Sequence, residues 1–360
     1  MLIVGAVIRT FIMCVLCGSG LLAQGLHWQA VKPDLVVPEV IEGQVAAGKR
    51  VRHRLKEFQG TRLYHAIYLP TDWHAGKSYP VIIEYAGNRH RHGDGSVESC
   101  KLGYGITGGK GAIWVSMPFV DTDKKANSPT WWGNADATVD YCKQVVRQVC
   151  TQMGGDPSRV FIAGFSRGSI AANYIGLHDD EIAKLWCGFI CHSHYEGVRK
   201  WSWKDKESAA DRLKRLGKRP QYVSQETSVD AAREYLRKAD VDGAFTFVSL
   251  PFAEHTDRWV LRDIPPREEL REWFLAVNTS VSWQRDRRIE DFEVLRNRIQ
   301  KGSDIRELEV FLGEPHAVTQ DNGAEYYEYH AKDQAGRSIA WSATIDSNGR
   351  LLGWSGPTDP

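Results

Sequence analysis

The sequence predicts an α/β fold, in which a mostly parallel sheet is flanked by helices, followed by a small C-terminal α+β domain. Between residues 60 and 275, short apolar segments alternate with segments of helical periodicity, a pattern typical of a parallel sheet covered by helices. Within this region an apolar run leads into Gly-Phe-Ser-Arg-Gly at 164–168, and small residues follow. After residue 284 the composition changes: a charged segment is followed by segments in which aromatic residues alternate with other residues. These three observations predict the fold class and two domains.

The predicted strands are short and rich in β-branched or aromatic residues. They are expected at 62–70, Tyr79–Tyr85, 112–119, 160–163, 185–191, 220–224 and 244–250. The alternation in 62–70 favours an antiparallel strand at the edge of the sheet. Helices are expected over 135–153 and 230–238, where apolar residues recur at helical spacing. Residues 26–60 mix polar and apolar positions and are interpreted as a lead-in segment outside the core.

The composition gives the protein no general attraction to nucleic acid or to an anionic membrane surface. Its 46 lysines and arginines are balanced by 45 aspartates and glutamates, for a formal net charge of +1. The glycine-rich stretch 93–111 contains neither the GxGxxG nor the Walker spacing. Cys187 and Cys191 lack the second ligand pair of a metal site. Nucleic acid, metals and organic cofactors are therefore not expected as partners.

The N-terminal residues have the pattern of an export signal. Arg9 precedes an apolar run at 10–16, and small residues lead to Ala23. Because this run is short for a membrane span, residues 1–24 are predicted to be a signal peptide, with a retained anchor or an overextended start as alternatives. The mature protein is then expected in the periplasm or outside the cell, without a membrane span. Its five cysteines can form at most two disulfides, or they can remain buried thiols.

Ser166 has the sequence context of a catalytic nucleophile. The order of apolar run, sharp turn and helix around it is the setting in which a GxSxG pentapeptide lifts a serine above a sheet. Gly164 and Gly168 would allow the strand and the helix to pass closely, since neither carries a side chain.

Two backbone N–H groups are expected to face an oxyanion formed on a substrate carbonyl. One is the N–H of Arg167, at the start of the helix after Ser166. The other is expected from Gly87 or Asn88, which follow the buried strand Tyr79–Tyr85.

A histidine and an acid follow Ser166 in the chain order nucleophile, acid, histidine. His255 lies on a loop directly after a predicted strand. Glu226 is the preferred acid, because it lies just past a strand and a helix follows it. The alternatives are Asp230, Glu254 and Asp257.

Aromatic and imidazole side chains at strand ends are candidates for contact with a substrate. Trp131 and Trp132 are adjacent in a loop, where they would either stack on a sugar or aromatic ring or pack over the core. His192 and His194 follow another predicted strand, and they are interpreted as pocket lining or loop residues rather than as catalytic or metal-binding groups.

At these residues the chain resembles the α/β-hydrolase superfamily. Within it, the chain is similar to the secreted esterase and polyhydroxybutyrate depolymerase-like branch, which includes feruloyl and acetyl xylan esterases. The matching pieces are PVIIEYAGN, GGDPSRVFIAGFSRGS, VSQETSV and AEHTD, and GDPSRVFIAGFSRG is the most specific. The family usually has an aspartate where Glu226 stands and an HG pair where Ala86 and Gly87 stand. The resemblance implies an α/β-hydrolase domain at 25–284, and hydrolysis of a small-molecule or polysaccharide-linked ester through an acyl-enzyme, without a cofactor.

Residues 285–360 are predicted to form a small α+β domain of a helix, a short helix and three strands. The segments GSDIRELEVFLGEP and YYEY resemble the small outer-membrane lipoprotein fold typified by BamE. This resemblance implies either a stabilising appendage or a contact with an envelope protein partner.

Two other functions are consistent with the sequence. The same triad would serve a serine peptidase of the prolyl oligopeptidase type, although the chain has no propeller repeats. A catalytically silent hydrolase fold could also act as an envelope binding protein through 285–360.

Overall fold

The structure is a computed structural model that describes residues 27–89, 94–131, 133–199, 207–241, 243–279, 301–302, 315–321, 323–332 and 338–358. The predicted signal peptide, Trp132 and the predicted helices of the C-terminal domain lie outside these residues.

The described residues form two sheets with helices between and after the strands of the first. The strands of the first sheet are β1 (Val40–Ile41), β2 (Arg50–His53), β3 (His65–Tyr68), β4 (Tyr79–Tyr85), β5 (Ile113–Met117), β6 (Gly155–Phe165), β7 (Gly188–His192), β8 (Gln221–Glu226) and β9 (Phe245–Leu250). The helices are α1 (Leu102–Thr107), α2 (Ala135–Gln152), α3 (Arg167–Tyr174), α4 (Asp180–Ala183), α5 (Ala209–Leu213), α6 (Asp230–Lys238) and α7 (Pro265–Thr279). Short 3₁₀ turns cover Trp28–Ala30, Lys56–Phe58, Val97–Ser99, Lys214–Leu216 and Arg258–Leu261.

The first sheet is mostly parallel, as predicted. Its strand order is β1-β2-β3-β5-β4-β6-β7-β8-β9. Among the described strands, β3 alone runs opposite to the others, since it pairs antiparallel with both β2 and β5. All other neighbouring pairs are parallel. The carboxyl ends of β4, β6, β7, β8 and β9 therefore meet at one edge of the sheet, where polar loop residues can converge.

Apolar side chains cover both faces of this sheet. In β4, Val81 and Ile83 belong to one hydrophobic core, and Ile82 between them belongs to another. All seven residues of β4 are buried. A strand covered on both faces reads as a continuous apolar run, which is why β4 was predicted with its observed bounds.

The prediction of an edge strand at 62–70 is wrong. This segment forms β3, which is antiparallel as expected but has β2 and β1 outside it. Its polar residue His65 is fully buried because its ring bonds the hydroxyl of Tyr141, with 2.8 Å between Nδ1 and the oxygen. The alternation suggested exposure, but a distant partner satisfies the polar group inside the core.

The interpretation of residues 26–60 as a segment outside the core is also wrong. They contribute β1, β2 and the buried side chain of Trp28. Arg50 of β2 is buried because its guanidinium lies over the ring of Trp114 and bonds Ser116 Oγ at 2.8 Å. A charged strand residue of this kind is recognisable as core only when its partners are known.

The predicted helices over 135–153 and 230–238 are confirmed by α2 and α6. The glycine-rich stretch 93–111 contains an unpredicted helix, α1, whose first N–H groups are bonded to the buried carboxylate of Glu84 at 2.8–3.0 Å. The capping carboxylate lies on a strand about 18 residues earlier in the chain, so no local capping motif in the sequence predicts this helix. Among the described helices, none is both long and apolar enough to cross a membrane.

The second sheet is antiparallel, with the order β10 (Ala317–Asp321), β11 (Ala324–Lys332), β12 (Ser338–Ile345) and β13 (Leu351–Thr358). The three aromatic segments form β11 to β13 as predicted. The predicted number of three strands is too low, because β10 pairs with β11 although its own residues are exposed and mostly polar. All five cysteines in the described part of the chain are buried, and none of them is in a disulfide.

Candidate active site

The turn that carries Ser166 joins β6 to α3. Ser166 has φ 56° and ψ −114°, a conformation with positive φ that is costly for a residue with a side chain. Its N–H donates to the carbonyl oxygen of His192 at 2.9 Å. The serine is therefore held in its strained conformation by the neighbouring strand β7.

The two glycines of the pentapeptide lie where no side chain would fit. A Cβ at Gly168 would lie 1.8 Å from the carbonyl oxygen of Tyr85, in β4. A Cβ at Gly164 would lie 2.1 Å from the carbonyl carbon of Gly168. At Gly168, the backbone of α3 therefore approaches the backbone of β4 directly, as the spacing of the glycines indicated.

His255 lies on the loop after β9 and reaches the hydroxyl of Ser166. Its Nε2 is 3.0 Å from Ser166 Oγ, a hydrogen-bond distance. The imidazole packs beside the rings of Phe165 and His194, with centroid distances of 4.8 and 4.9 Å. Its side chain is 39% exposed, so one side of the ring faces solvent or an incoming substrate.

The N-terminal segment holds this histidine loop in place. The indole N–H of Trp28 and the amide of Gln29 donate to the carboxylate of Glu254, at 3.2 and 2.5 Å. Glu254 directly precedes His255. Residues more than 200 positions earlier in the chain therefore brace the loop that carries the imidazole.

Glu226 is the acid that the structure brings to His255. It is the last residue of β8, and its Oε1 lies 3.4 Å from Nδ1 of the imidazole. The alternatives are engaged elsewhere: Asp230 accepts from the hydroxyl of Ser228 at 2.8 Å, and Asp257 is 3.5 Å from Lys101. Glu254 bonds the N-terminal segment, as described above.

Ser193 was missed by the sequence analysis. Its hydroxyl oxygen is 2.6 Å from His255 Nδ1 and 2.6 and 2.8 Å from the two carboxylate oxygens of Glu226. Ser193 directly follows β7, whose carboxyl end lies beside that of β8. In the sequence, Ser193 lies between His192 and His194, and no local pattern marks it as a functional residue.

The electrostatics of the site favour an ionised Glu226 and neutral imidazoles at His192 and His194. Burial raises the pKa of Glu226, but its contacts with His255 and Ser193 and the electrostatic influence of His192 outweigh burial and lower the pKa below its usual 4.5. Burial, with the charge of Arg199 nearby, lowers the pKa of His194 to about 4.

His192 is a buried structural residue. Burial lowers its pKa, and the indole N–H of Trp259 donates to its Nε2 at 3.0 Å. Its Nδ1 is 3.1 Å from Ser224 Oγ. No group of three metal-binding side chains occurs within the described ranges.

The side chain of Arg167 organises two loops beside Ser166. The guanidinium donates to the carbonyl oxygens of Trp131 at 2.6 Å and Gly95 at 3.2 Å, and lies 3.9 Å from the ring centroid of Phe119. Burial lowers its pKa to about 9. The backbone N–H of Arg167 opens α3, where the first N–H groups of a helix lack intrahelical acceptors.

Gly87 and Asn88 line a cleft together with Phe165 and His255. The side-chain oxygen of Asn88 accepts from the N–H of Trp131 at 2.8 Å, so this side chain positions the tryptophan loop. Trp131 is 51% exposed. Trp132 lies outside the described residues.

The turn at Ser166 and the loop at His255 follow parallel strands of the first sheet and lie at its carboxyl edge. The fold is α/β, with a mostly parallel sheet flanked by helices. No protein-family model matches the sequence, and no curated protein matches it. Solved structures are similar at low identity. A thermostable esterase is 14% identical with a TM-score of 0.40, over 63% of this chain and 62% of its own. The chain thus spans less than two thirds of that esterase.

Two further solved structures are of the same kind. A CE1 ferulic acid esterase from Anaeromyces mucronatus is 14% identical with a TM-score of 0.41, over 59% of this chain and 86% of its own. A putative dienelactone hydrolase from Klebsiella pneumoniae is 17% identical with a TM-score of 0.38, over 59% and 88%. The activities in these names belong to those proteins, and the function of this chain is argued from its own site.

The substitution Gly168→Ala should destabilise the protein, because its Cβ would meet the backbone of β4. We expect the free energy of unfolding to fall by about 2 kcal/mol or more, measured by chemical denaturation. Gly353→Ala is the control, since an added Cβ there has no atom within 4 Å and should leave stability within about 0.5 kcal/mol. Equal stability of the two variants would contradict the close approach.

The substitution Arg167→Lys should also destabilise, although it keeps the charge and the backbone N–H. A lysine cannot bond both carbonyl oxygens in the fixed geometry of a guanidinium, so buried acceptors would be left unpaired. We expect a loss of about 2 kcal/mol in denaturant unfolding. The same change at Arg237, which is exposed and pairs with Glu234, should leave the denaturation midpoint unchanged within error.

Lowering the pH should narrow the difference in stability between the wild type and Glu226→Gln. The pKa of Glu226 is below its usual 4.5, so the ionised carboxylate contributes stability above pH 4.5 that is lost as pH falls through the lower folded value. Glutamine does not titrate. Thermal melts from pH 7 to 3 should show that the difference in melting temperature between the wild type and Glu226→Gln becomes smaller below pH 4.5. A difference that stays constant over this range would contradict the prediction.

Proposed function

We propose that this protein is an exported serine hydrolase that cleaves carboxylic esters. The observation that carries the proposal is the 3.0 Å contact between Ser166 Oγ and His255 Nε2, on a strained turn between a strand and a helix. The carboxylate of Glu226 lies on the other side of the imidazole. A hydroxyl activated by a base, which a third group orients, is the arrangement used for acyl transfer.

In the proposed reaction, His255 accepts the proton of Ser166 as the serine oxygen attacks the ester carbonyl. The N–H groups of Arg167 and of Gly87 or Asn88 hold the resulting oxyanion. His255 then gives its proton to the leaving alcohol, and a covalent acyl-serine remains. Water, deprotonated by the same imidazole, releases the acid and restores the hydroxyl.

The surroundings of the nucleophile suit this chemistry. Ser166 is 6% exposed, so its hydroxyl lies in an environment with little water, where N–H dipoles act strongly. The positive end of α3 points toward the developing charge. Removing one oxyanion donor in sites of this kind costs on the order of a hundredfold in rate.

We infer a small-molecule or polysaccharide-linked ester as substrate. Trp131 is 51% exposed near the cleft, and its backbone is bonded to the side chains of Asn88 and Arg167. An aromatic ring at this place would suit a substrate that carries a sugar or an aromatic ring. The polyhydroxybutyrate depolymerase-like branch remains part of the proposal on the sequence resemblance alone.

Export is proposed from the N-terminal apolar segment, and the residues involved lie outside the described ranges. N-terminal sequencing of the protein recovered from its native host should find the chain beginning near residue 24. A chain that retains residues 1–20 would contradict export with cleavage. The BamE-like assignment and an envelope partner for 285–360 remain predictions.

Labelling with a fluorophosphonate tests the nucleophile. Intact-mass analysis should find one adduct on the wild type, none on Ser166→Ala, and labelling slowed at least about a hundredfold on His255→Ala, because the serine then lacks its base. Labelling that survives Ser166→Ala would overturn the assignment. No labelling of the folded wild type would favour a silent binding protein.

The ester class is tested separately, with p-nitrophenyl acetate and p-nitroacetanilide as substrates that share an acyl group. Faster turnover of the ester, lost in Ser166→Ala, is expected. Cleavage of prolyl peptide amides at a higher kcat/KM than any ester would favour the peptidase alternative.

A further inference from the structure

The hydroxyl of Ser193 lies between the acid and the imidazole of the site. Its oxygen is 2.6 Å from His255 Nδ1, and 2.6 and 2.8 Å from the oxygens of Glu226. The direct distance between Glu226 Oε1 and His255 Nδ1 is 3.4 Å, longer than an ordinary N–H···O hydrogen bond. The short contacts therefore run through the serine.

We infer that Ser193 is a positioning residue that links Glu226 to His255, so that the acid acts on the imidazole through a serine hydroxyl. This inference rests on the proposed function, since it assigns a role in the activation of Ser166.

The donor and acceptor inventory of the three groups gives the link a direction. An ionised carboxylate only accepts hydrogen bonds, so the single proton of the Ser193 hydroxyl is donated to Glu226. The oxygen of Ser193 then presents a lone pair to His255 Nδ1, which must carry a proton to make the 2.6 Å contact. In a neutral imidazole the proton on Nδ1 leaves a lone pair on Nε2, directed at the hydroxyl of Ser166 3.0 Å away. The link thus selects the tautomer that can act as a base.

The backbone at Ser193 supports a requirement for the hydroxyl. Ser193 has φ 81°, in the region that glycine adopts at little cost and other residues adopt rarely. It is 5% exposed, and its N–H donates to the carbonyl oxygen of Ser224 at 2.7 Å, which holds this conformation. A glycine would adopt this backbone conformation at a lower cost in free energy than serine does. The presence of a serine at a strained position points to its side chain.

Replacing Ser193 by glycine separates the hydroxyl from the backbone. Ser193→Gly loses the hydroxyl contacts but relieves the positive φ, so it should melt at a higher temperature than Ser193→Ala, which loses the same contacts and keeps the strained φ. If the hydroxyl orients His255, the maximal rate of fluorophosphonate labelling should fall 10- to 100-fold, while the concentration giving half-maximal rate changes less than about threefold. Ser193→Ala should show a similar rate loss.

A double substitution tests whether Glu226 acts through Ser193. Glu226→Gln alone should also slow labelling. If the acid reaches the imidazole through the hydroxyl, adding Ser193→Gly to Glu226→Gln should cost less than about threefold further. Rate losses that multiply in the double variant would show two independent contributions and overturn the link.

Ser224→Ala is the matched control. Ser224 is 1% exposed, and its hydroxyl contacts a different histidine, at 3.1 Å from Nδ1 of His192. Loss of this hydroxyl should lower the melting temperature and leave the labelling rate within about threefold of the wild type.

The outcomes distinguish this inference from the function on which it rests. If Ser166→Ala is still labelled, the proposed nucleophile is wrong. If Ser166→Ala is not labelled and Ser193→Gly and Ser193→Ala both retain a rate within twofold of the wild type, the serine hydrolase stands and the role of Ser193 is overturned.

Discussion

The close approach of α3 to β4 is the constraint on which the site depends. Gly168 lies so near the carbonyl oxygen of Tyr85 that only a residue without a side chain fits between them. With the helix start held there, the chain leaving β6 must reverse direction within one residue, and Ser166 adopts a positive φ to do so. The pairing of β6 with β4 and β7 on its two sides holds this strained turn in place.

Buried charged side chains organise the loops at the carboxyl edge of the sheet. These loops form few of the backbone hydrogen bonds that join strands. Single side chains bond their N–H groups and carbonyl oxygens instead. Arg167 bonds the carbonyl oxygens of two loops, and Glu84 bonds the N–H groups at the start of α1. A buried charge without partners is costly, so each of these side chains strongly favours the loop conformation that satisfies it.

His255 is held by contacts from several distant parts of the chain. Trp28 and Gln29 bond Glu254, beside His255, while Ser193 and Glu226 contact the ring from the ends of β7 and β8. These elements meet because neighbouring parallel strands end at one edge of the sheet. The imidazole therefore keeps its orientation although its own loop has no regular structure.

Features that arise from local pattern could be predicted from the sequence. Continuous apolar runs predicted β4 and its neighbours, helical periodicity predicted α2 and α6, and the glycine spacing predicted the strained turn at Ser166. The order of serine, acid and histidine named the three side chains that the structure places together, although their roles remain predictions. The tertiary structure alone decided what depends on distant partners. It placed Arg50 and Trp28 in the core, capped α1 with Glu84, and put Ser193 between Glu226 and His255. A polar side chain is buried, strained or functional according to the groups that surround it, and those groups come from parts of the chain that no local pattern connects.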